Sequence, residues 1–545
     1  MEAICKLTGR KFVISDREAA YCRDRGYPLP TIHPNERLKR LLAFRNRTFL
    51  CNTTCAFSKK PILSCIAPDK DFTIYDNDIW NSEQWDPLSY GIEYDLNGSF
   101  WEQLESLYKK VPLPNLTIVR SSTVNSEYVN GAANLKNCYL TFANTFNEDC
   151  MFGWNIFECK NVLDTISAKG CELCYACTDL DHCYNVQHAD SASHCSDSYF
   201  LDSCKSCNHC YGCVNLSNKQ YCWNNQQLSK EEYEQRLAGI DLGNYDVRMS
   251  ELKKFNEFKK NQPRKFLQGT NNEHCSGNYI HNSSNASNVF HAMEVQDVEN
   301  SIGTNKCKDC FVTAYNTSGE LVYNTHAGVG NYNVAFSIEC IGSKNLEFCL
   351  YCVQGCSDCF GCVGLKKKQY CIFNKQYSKD DYERIVKQIK EKLISNEWQD
   401  HLPLKMSQVY YNQSDAMIIF PLTREQALAE GFDWKDELVT PAKDNAPIPN
   451  HIQQTSDAVL NHTYTCELTG KSFRVIKPEL IFYRNNNIPL PHQAPLDRLH
   501  HRAEIFRVEQ IKSIQCSNCH QTIESVYDPA QRPVLCEPCY QQVVS

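Results

Sequence analysis

The chain has 545 residues, 42% of them hydrophobic, which is material for three or four domains of ordinary size, each with its own core. Gly (22) and Pro (21) are unremarkable in number and charged residues make up 22%, so collagen-like, low-complexity and disordered classes are excluded. A net charge of -8, with a pI near 6.1, argues against a dedicated polyanion-coating protein. Mean hydropathy is -0.49, no apolar run is long enough to span a bilayer, and MEAICKLTGRKF carries no signal-peptide pattern, so a cytoplasmic protein without membrane association is expected. The abnormal quantity is the 33 cysteines.

Residues 1–112 read as a degenerate zinc-ribbon-like domain. CKLTGRKF at Cys5 parallels CELTGKSF at Cys466, Pro28 and Pro30 parallel Pro489 and Pro491, and Arg37 parallels Arg498. Cys51 and Cys55 stand as a loosened first knuckle, with Tyr75 and Asp78 in place of the second. Loss of two soft ligands removes the reason for a zinc ion there, unless Cys65 or Asp78 is recruited. Arg37, Lys39, Arg40, Arg45, Arg47, Lys59 and Lys60 form the best candidate patch for nucleic acid, although a charged run is more commonly a solvated helix face.

Residues 121–226 change character. Cys138, Cys150, Cys159, Cys171, Cys174, Cys177, Cys183, Cys195, Cys204, Cys207, Cys210, Cys213 and Cys222 are all separated by multiples of three, a period of neither helix nor alternating strand. The same phase collects Val129, Ala132, Leu135, Ile156, Val162, Ala168, Leu180, Val186 and Leu201, so it marks buried columns. Cys159, Cys171, Cys183, Cys195 and Cys207 add a period of twelve, which predicts a β-solenoid of 12-residue coils with rungs about 4.8 Å apart. This spacing resembles the solenoid of certain insect antifreeze proteins. The outward Thr-x-Thr array of that family is absent, and its activity is not carried over.

Ser229 with Glu232 opens a helical cap and connector over 227–266. A second β-solenoid is predicted for 276–375, with Val289, Ala292, Val295, Cys307, Cys310, Cys340, Cys349 and Cys352 in phase. An inserted residue then shifts Cys356, Cys359, Cys362 and Cys371. CNHCYGCVNLSNKQYC from Cys207 matches CSDCFGCVGLKKKQYC from Cys356 at an offset of 149, an internal duplication, and a second helical cap follows at 376–398 from Ser378. Outward apolar residues form one face on each solenoid: Met151, Phe152, Leu163, Tyr175, Phe200 and Tyr211 on the first, and Phe311, Tyr323, Phe336, Phe348 and Phe360 on the second. The two faces are expected to cover one another, with a homodimer or protein partner as the other occupant. Asn155, Ser167, Asp179, Ser191, Ser203 and Asn215 are read as coil corners, and His182, His188, His194 and His209 as outward polar groups.

The cysteines inside the coils are small hydrophobes of suitable volume. Two rivals exist: disulfides across a coil, such as Cys171 to Cys177 or Cys207 to Cys213, and an iron–sulfur cluster on Cys207, Cys210, Cys213 and Cys222 with its duplicate at Cys356, Cys359, Cys362 and Cys371. After a linker with a short α/β segment at 399–460, residues 461–545 form a C-terminal zinc-ribbon domain. Cys516, Cys519, Cys536 and Cys539, spaced C-x2-C-x16-C-x2-C, are its predicted structural zinc ligands. Together with KQYCIFNKQYSKDDYE and FPLTREQALAEGFDW, these segments resemble an uncharacterised family of large cysteine-rich zinc-ribbon proteins from small-genome candidate-phylum bacteria. That resemblance supports the domain order and implies no activity.

No Walker loop, H-E-x-x-H, G-x-S-x-G or post-strand G-x-G-x-x-G occurs, and no catalytic residue is assigned. The expectation is a mainly β, non-enzymatic, zinc-stabilised scaffold or protein-interaction protein. The alternatives are a nucleic-acid or ribonucleoprotein-associated zinc-ribbon protein and a thiol or iron–sulfur redox protein.

Overall fold

The computed structural model describes all residues except 303–310, 318–322, 437–440, 444–445, 509–510 and 545. Cys307 and Cys310 of the predicted column therefore lie outside the described residues. The protein is mainly a cysteine-rich parallel β-solenoid with few helices. None of its described helices is long and apolar enough to cross a membrane.

The three-residue period has a backbone cause. Asn134, Asn137, Leu140, Ala143, Phe146, Asp149, Phe152 and Asn155 all have φ between +45° and +60°, so the chain turns at every third residue. The predicted corners Asn155, Ser167, Asp179, Ser191, Ser203 and Asn215 are all left-handed in this way. Asn and Asp tolerate that conformation, while Leu140, Phe152 and Phe200 adopt it at a cost of about 1 kcal/mol or more, held by their surroundings. Parallel pairs such as Trp154↔Ile166, Ala168↔Leu180 and Leu180↔Ala192 join residues twelve apart. In the later solenoid, Leu346↔Cys359 is one residue wider, where the sequence carries its insertion before Cys356.

The interior is made of thiols that also serve the backbone. Cys150 Sγ lies 3.3 Å from Glu148 O and 3.4 Å from Cys159 O, and Cys362 Sγ lies 3.4 Å from Phe360 O and 3.3 Å from Cys371 O. Each thiol thus reaches a carbonyl of its own strand and one of the following strand. Serine already does the same at lattice positions, Ser198 Oγ donating to Ser196 O at 2.7 Å and Ser337 Oγ to Ala335 O at 2.8 Å. Cys174→Ser is therefore expected to cost only about 1 kcal/mol, the low end for burying a hydroxyl. Cys174→Leu, although more apolar, should cost roughly 3 kcal/mol by overpacking. Urea unfolding of the two variants checks this order, and a reversed order would remove the core-filling role.

The chain forms two compact units that take its segments out of order. One comprises Met1–Thr117, Leu267–Lys435 and Phe506–Lys512; the other comprises Ile118–Phe266, Asp436–Ile505 and Ser513–Ser545. The N-terminal segment thus belongs with the second solenoid and the C-terminal segment with the first.

This pairing corrects the expectation that the two apolar faces cover one another. In the unit containing the first solenoid, Met151, Phe152, Leu163 and Tyr175 pack with Tyr464, Phe473, Leu480, Tyr483, Ile488 and Leu490. Phe200 and Tyr211 pack with Tyr233 and Phe255 of the helices Lys230–Ala238 and Tyr245–Lys260, the former opened by a Ser229/Glu232 capping box. In the other unit, Tyr323 stacks on Tyr21 at 5.1 Å, Phe336 meets Tyr27 at 5.6 Å and Trp398 at 5.3 Å, and Phe348 meets Phe100 at 5.3 Å. Each apolar stripe is covered within its own unit, by a terminal segment together with the helix or loop that follows the solenoid.

The basic N-terminal residues are likewise not a surface patch. Arg37 is fully buried and paired with buried Glu18 at 2.8 Å, Lys39 and Arg40 each meet Glu36 at 2.9 Å, and Arg45 and Arg47 lie against Asp415 at 3.2 and 3.5 Å. Lys59 and Lys60 are exposed at the tip of a hairpin. His188 is also not outward, its ring lying between Tyr175 and Phe200 at 5.4 and 5.3 Å.

Candidate metal centre

The hairpin Lys512–Gln515 and Thr522–Ser525 closes on a tight turn that carries the first knuckle. Cys516 N donates to Gln521 O at 2.9 Å, His520 N donates to Cys516 O at 3.0 Å, and His520 is left-handed at φ 60°. The second knuckle straddles the start of the helix Glu537–Val544, with Cys536 immediately before it and Cys539 in its first turn. Ser517 ties the knuckles together: its N–H donates to Val534 O at 2.8 Å and its hydroxyl accepts from Val534 N at 2.9 Å.

As a result the sulfurs of Cys516, Cys519, Cys536 and Cys539 all lie within 4.8 Å of one another, and the set can hold a metal ion. Cys519 Sγ and Cys536 Sγ are 3.6 Å apart. A tetrahedral ion with bonds of about 2.3 Å to sulfur needs edges of roughly 3.8 Å, so little adjustment is required. Donors already face the sulfurs: Cys536 N reaches Cys516 Sγ at 3.3 Å and Asn518 Nδ2 reaches Cys539 Sγ at 3.4 Å.

The four close-set thiols and the N–H donors facing them favour negative charge on sulfur. Burial acts against ionisation of Cys516, but N–H groups of Cys519, Cys536 and Asn518 overcome it and hold that thiol down at about 6. Burial, then the neighbouring thiols, push Cys536 up to about 12. Without a cation one sulfur ionises at the expense of its neighbours, and a divalent ion removes that conflict. All four positions are filled by protein, leaving no open place for substrate or water.

The N-terminal segment repeats this geometry with different residues, and corrects the sequence alignment. Cys55 N donates to Lys60 O at 2.9 Å, Ala56 N donates to Ile74 O at 2.8 Å, and Asp76 N reaches Cys55 Sγ at 3.3 Å, matching the bonds of Cys516, Ser517 and Cys536. The structural counterparts of the four cysteines are therefore Cys55, Ser58, Asp76 and Ile79. Cys51 instead turns back onto Ser64 O and Ile66 O at 3.4 and 3.2 Å, Cys65 is buried, and Asp78 is exposed. The four places thus offer one sulfur, a hydroxyl, a carboxylate and an alkyl group.

No family model matches the chain, and no curated protein matches it. Among solved structures, a UDP-N-acetylglucosamine acyltransferase from Campylobacter jejuni aligns over 54% of this chain and 94% of its own, with 9% identity and a TM-score of 0.09, a level at which nothing is transferred.

The solenoid cysteines are arranged otherwise. Among the described residues, neither Cys207, Cys210, Cys213 and Cys222 nor Cys356, Cys359, Cys362 and Cys371 gather three or more ligand atoms in one place. Every described cysteine is a free thiol. Burial pushes Cys177 and Cys356 up to about 12, so these sulfurs are held as inert thiols. Sequence spacing revealed the four C-terminal ligands but not Ser517 or Asn518, whose supporting bonds follow from the turn and have no signature of their own.

Proposed function

We propose that this is a non-enzymatic scaffold or protein-interaction protein whose C-terminal zinc ribbon is a structural clamp. The observation carrying this reading is the closed set of four thiols at Cys516, Cys519, Cys536 and Cys539, a donor set suited to Zn(II) with no coordination place left for chemistry. The architecture we infer is one ancestral unit, a solenoid of 12-residue coils and a ribbon domain, present twice, with the N-terminal ribbon degenerate. Parallel buried pairs support it: Arg37 to Glu18 at 2.8 Å in one unit and Arg498 to Glu479 at 3.1 Å in the other. The resemblance to the cysteine-rich zinc-ribbon proteins of candidate-phylum bacteria, and a cytoplasmic location, belong to the same proposal. A reducing compartment suits so many free thiols.

Anaerobic purification with elemental analysis and identification of co-purifying material tests it. The scaffold reading expects colourless protein with one zinc per chain in a stoichiometric protein complex or self-assembly. Stoichiometric nucleic acid released by salt, or brown protein with iron and acid-labile sulfide, would replace it with one of the alternatives.

A further inference from the structure

On the outside of the first solenoid, away from any cysteine ligand, three side chains converge: ligand atoms of Asp181, His182 and His194 lie within 4.8 Å of one another. We propose that they form a second cation site, for a borderline divalent transition ion such as Zn(II), with one face open to solvent.

The backbone brings the histidines together. His194 N donates to Asp181 O and His182 N to Lys169 O, at 2.9 and 2.8 Å, so the two stand at equivalent places on adjacent coils. Both are left-handed corners, φ 48° and 54°, and their side chains leave the coil in the same direction. The rings stack with centroids 5.4 Å apart and planes 14° from parallel. The two rings thus stand on the same side of the solenoid, and a turn of the rings out of their stacked arrangement brings one nitrogen of each toward a common ion.

Two further features point to a ligand. Asp181 Oδ1 lies 2.6 Å from His182 Nδ1, so a carboxylate oxygen and a ring nitrogen already stand together, close enough for one ion to take both. Residue 170, the corner one strand earlier, is glycine: a Cβ there would come within 2.9 Å of His182 Cδ2 and 3.0 Å of Nε2, so the ring has its place because that side chain is missing. Two nitrogens and one carboxylate suit zinc, nickel or copper, and not calcium or magnesium, which take oxygen. Side chains of His182 and Asp181 are 53% and 47% exposed, leaving water or a partner's side chain to complete the shell.

The test is equilibrium dialysis of the full chain, its four-cysteine site preloaded, against added Zn(II), with Cu(II) paramagnetic resonance as a second readout. Wild-type protein should take up one additional ion, and Cu(II) should show coupling to two imidazole nitrogens. His182→Ala or His194→Ala should weaken the added ion about ten- to hundredfold and remove one nitrogen from the spectrum, without changing the preloaded metal. Absence of an additional ion in the wild type, or unchanged uptake in the His182→Ala/His194→Ala variant with its circular dichroism intact, would overturn it.

Discussion

Cys516→Ser combined with Cys536→Ser, or stripping by a strong chelator, should unfold the segment Ser513–Ser545 and loosen the unit that holds it. The segment is not an appendage. Its strand Val534–Leu535 pairs with Arg264–Lys265, Phe266 N donates to Leu535 O at 2.9 Å, and Ser525 Oγ donates to Phe266 O at 2.6 Å. Arg532 reaches buried Asp202 at 3.1 Å, alongside Lys259 at 3.3 Å. Metal loss therefore removes the segment's own fold and leaves Asp202 short of one of its counter-charges. Structural zinc contributes about 10 kcal/mol or more of binding energy that is also folding energy. A loss on the order of 5 kcal/mol in this unit is expected, seen as a fall in Tm of roughly 10 °C or more, with new proteolytic cleavage near Arg532. An unchanged Tm after complete metal removal would show that the four cysteines do not clamp this fold.

Arg498→Ala should be nearly as damaging. Arg498 is 5% exposed and faces two fully buried carboxylates: Nε lies 2.8 Å from Asp164 Oδ2, and Nη2 lies 3.1 Å from Glu479 Oε1. It also donates to Gln493 O at 2.7 Å and lies over the Phe152 ring at 5.1 Å. Removing the guanidinium leaves negative charge without a partner in an apolar site, at a cost of about 3–5 kcal/mol. The deficit should depend on pH in a particular sense. Burial already pushes the Glu479 carboxyl up, with Arg498 the main opposing influence, so the variant's folded state should bind a proton there more tightly than its unfolded state. A raised folded pKa gives stability at low pH that is lost as pH rises, and the variant's deficit should shrink as pH falls from 7 toward about 4.5. A deficit independent of pH would mean that packing against Phe152, not charge, is the main role of Arg498. Arg37→Ala, which strips buried Glu18 of its partner, should be destabilising by a comparable amount in the other unit.

How much of this was legible in the sequence depends on the range of the interaction. The three-residue lattice was visible because inward places accept only small or apolar side chains. Left-handed corners were visible at Asn and Asp but not at Leu140, Phe152 or Phe200, whose residue types give no sign of positive φ. Periodicity showed that each solenoid carries an outward apolar stripe, but it cannot name the distant segment that covers it, and mutual coverage was the wrong choice. The basic N-terminal run misled for the same reason: composition records Arg37 and Arg45, while Glu18 and Asp415, which neutralise them, are set by folding. In the N-terminal segment, the pair Cys51 and Cys55 reads as a knuckle from spacing alone. The interval separating Cys5 from Cys466 and Arg37 from Arg498 also separates Cys55 from Cys516, but the second knuckle is one residue out of step, with Asp76 N and not Tyr75 N facing Cys55 Sγ as Cys536 N faces Cys516 Sγ.

Cysteines fill the core of the coils, and four others form a set that can close on a metal ion. Thiol titration of anaerobically purified protein, native and then unfolded with chelator but without reductant, tests this most directly. Among the described cysteines, fast native reaction should be confined to the partly accessible Cys51 and Cys275, with Cys519 joining once metal is removed, and all 33 thiols should titrate on unfolding. Rapid native labelling of Cys174, Cys207 or Cys359, or a shortfall of thiols in pairs after unfolding, would contradict it.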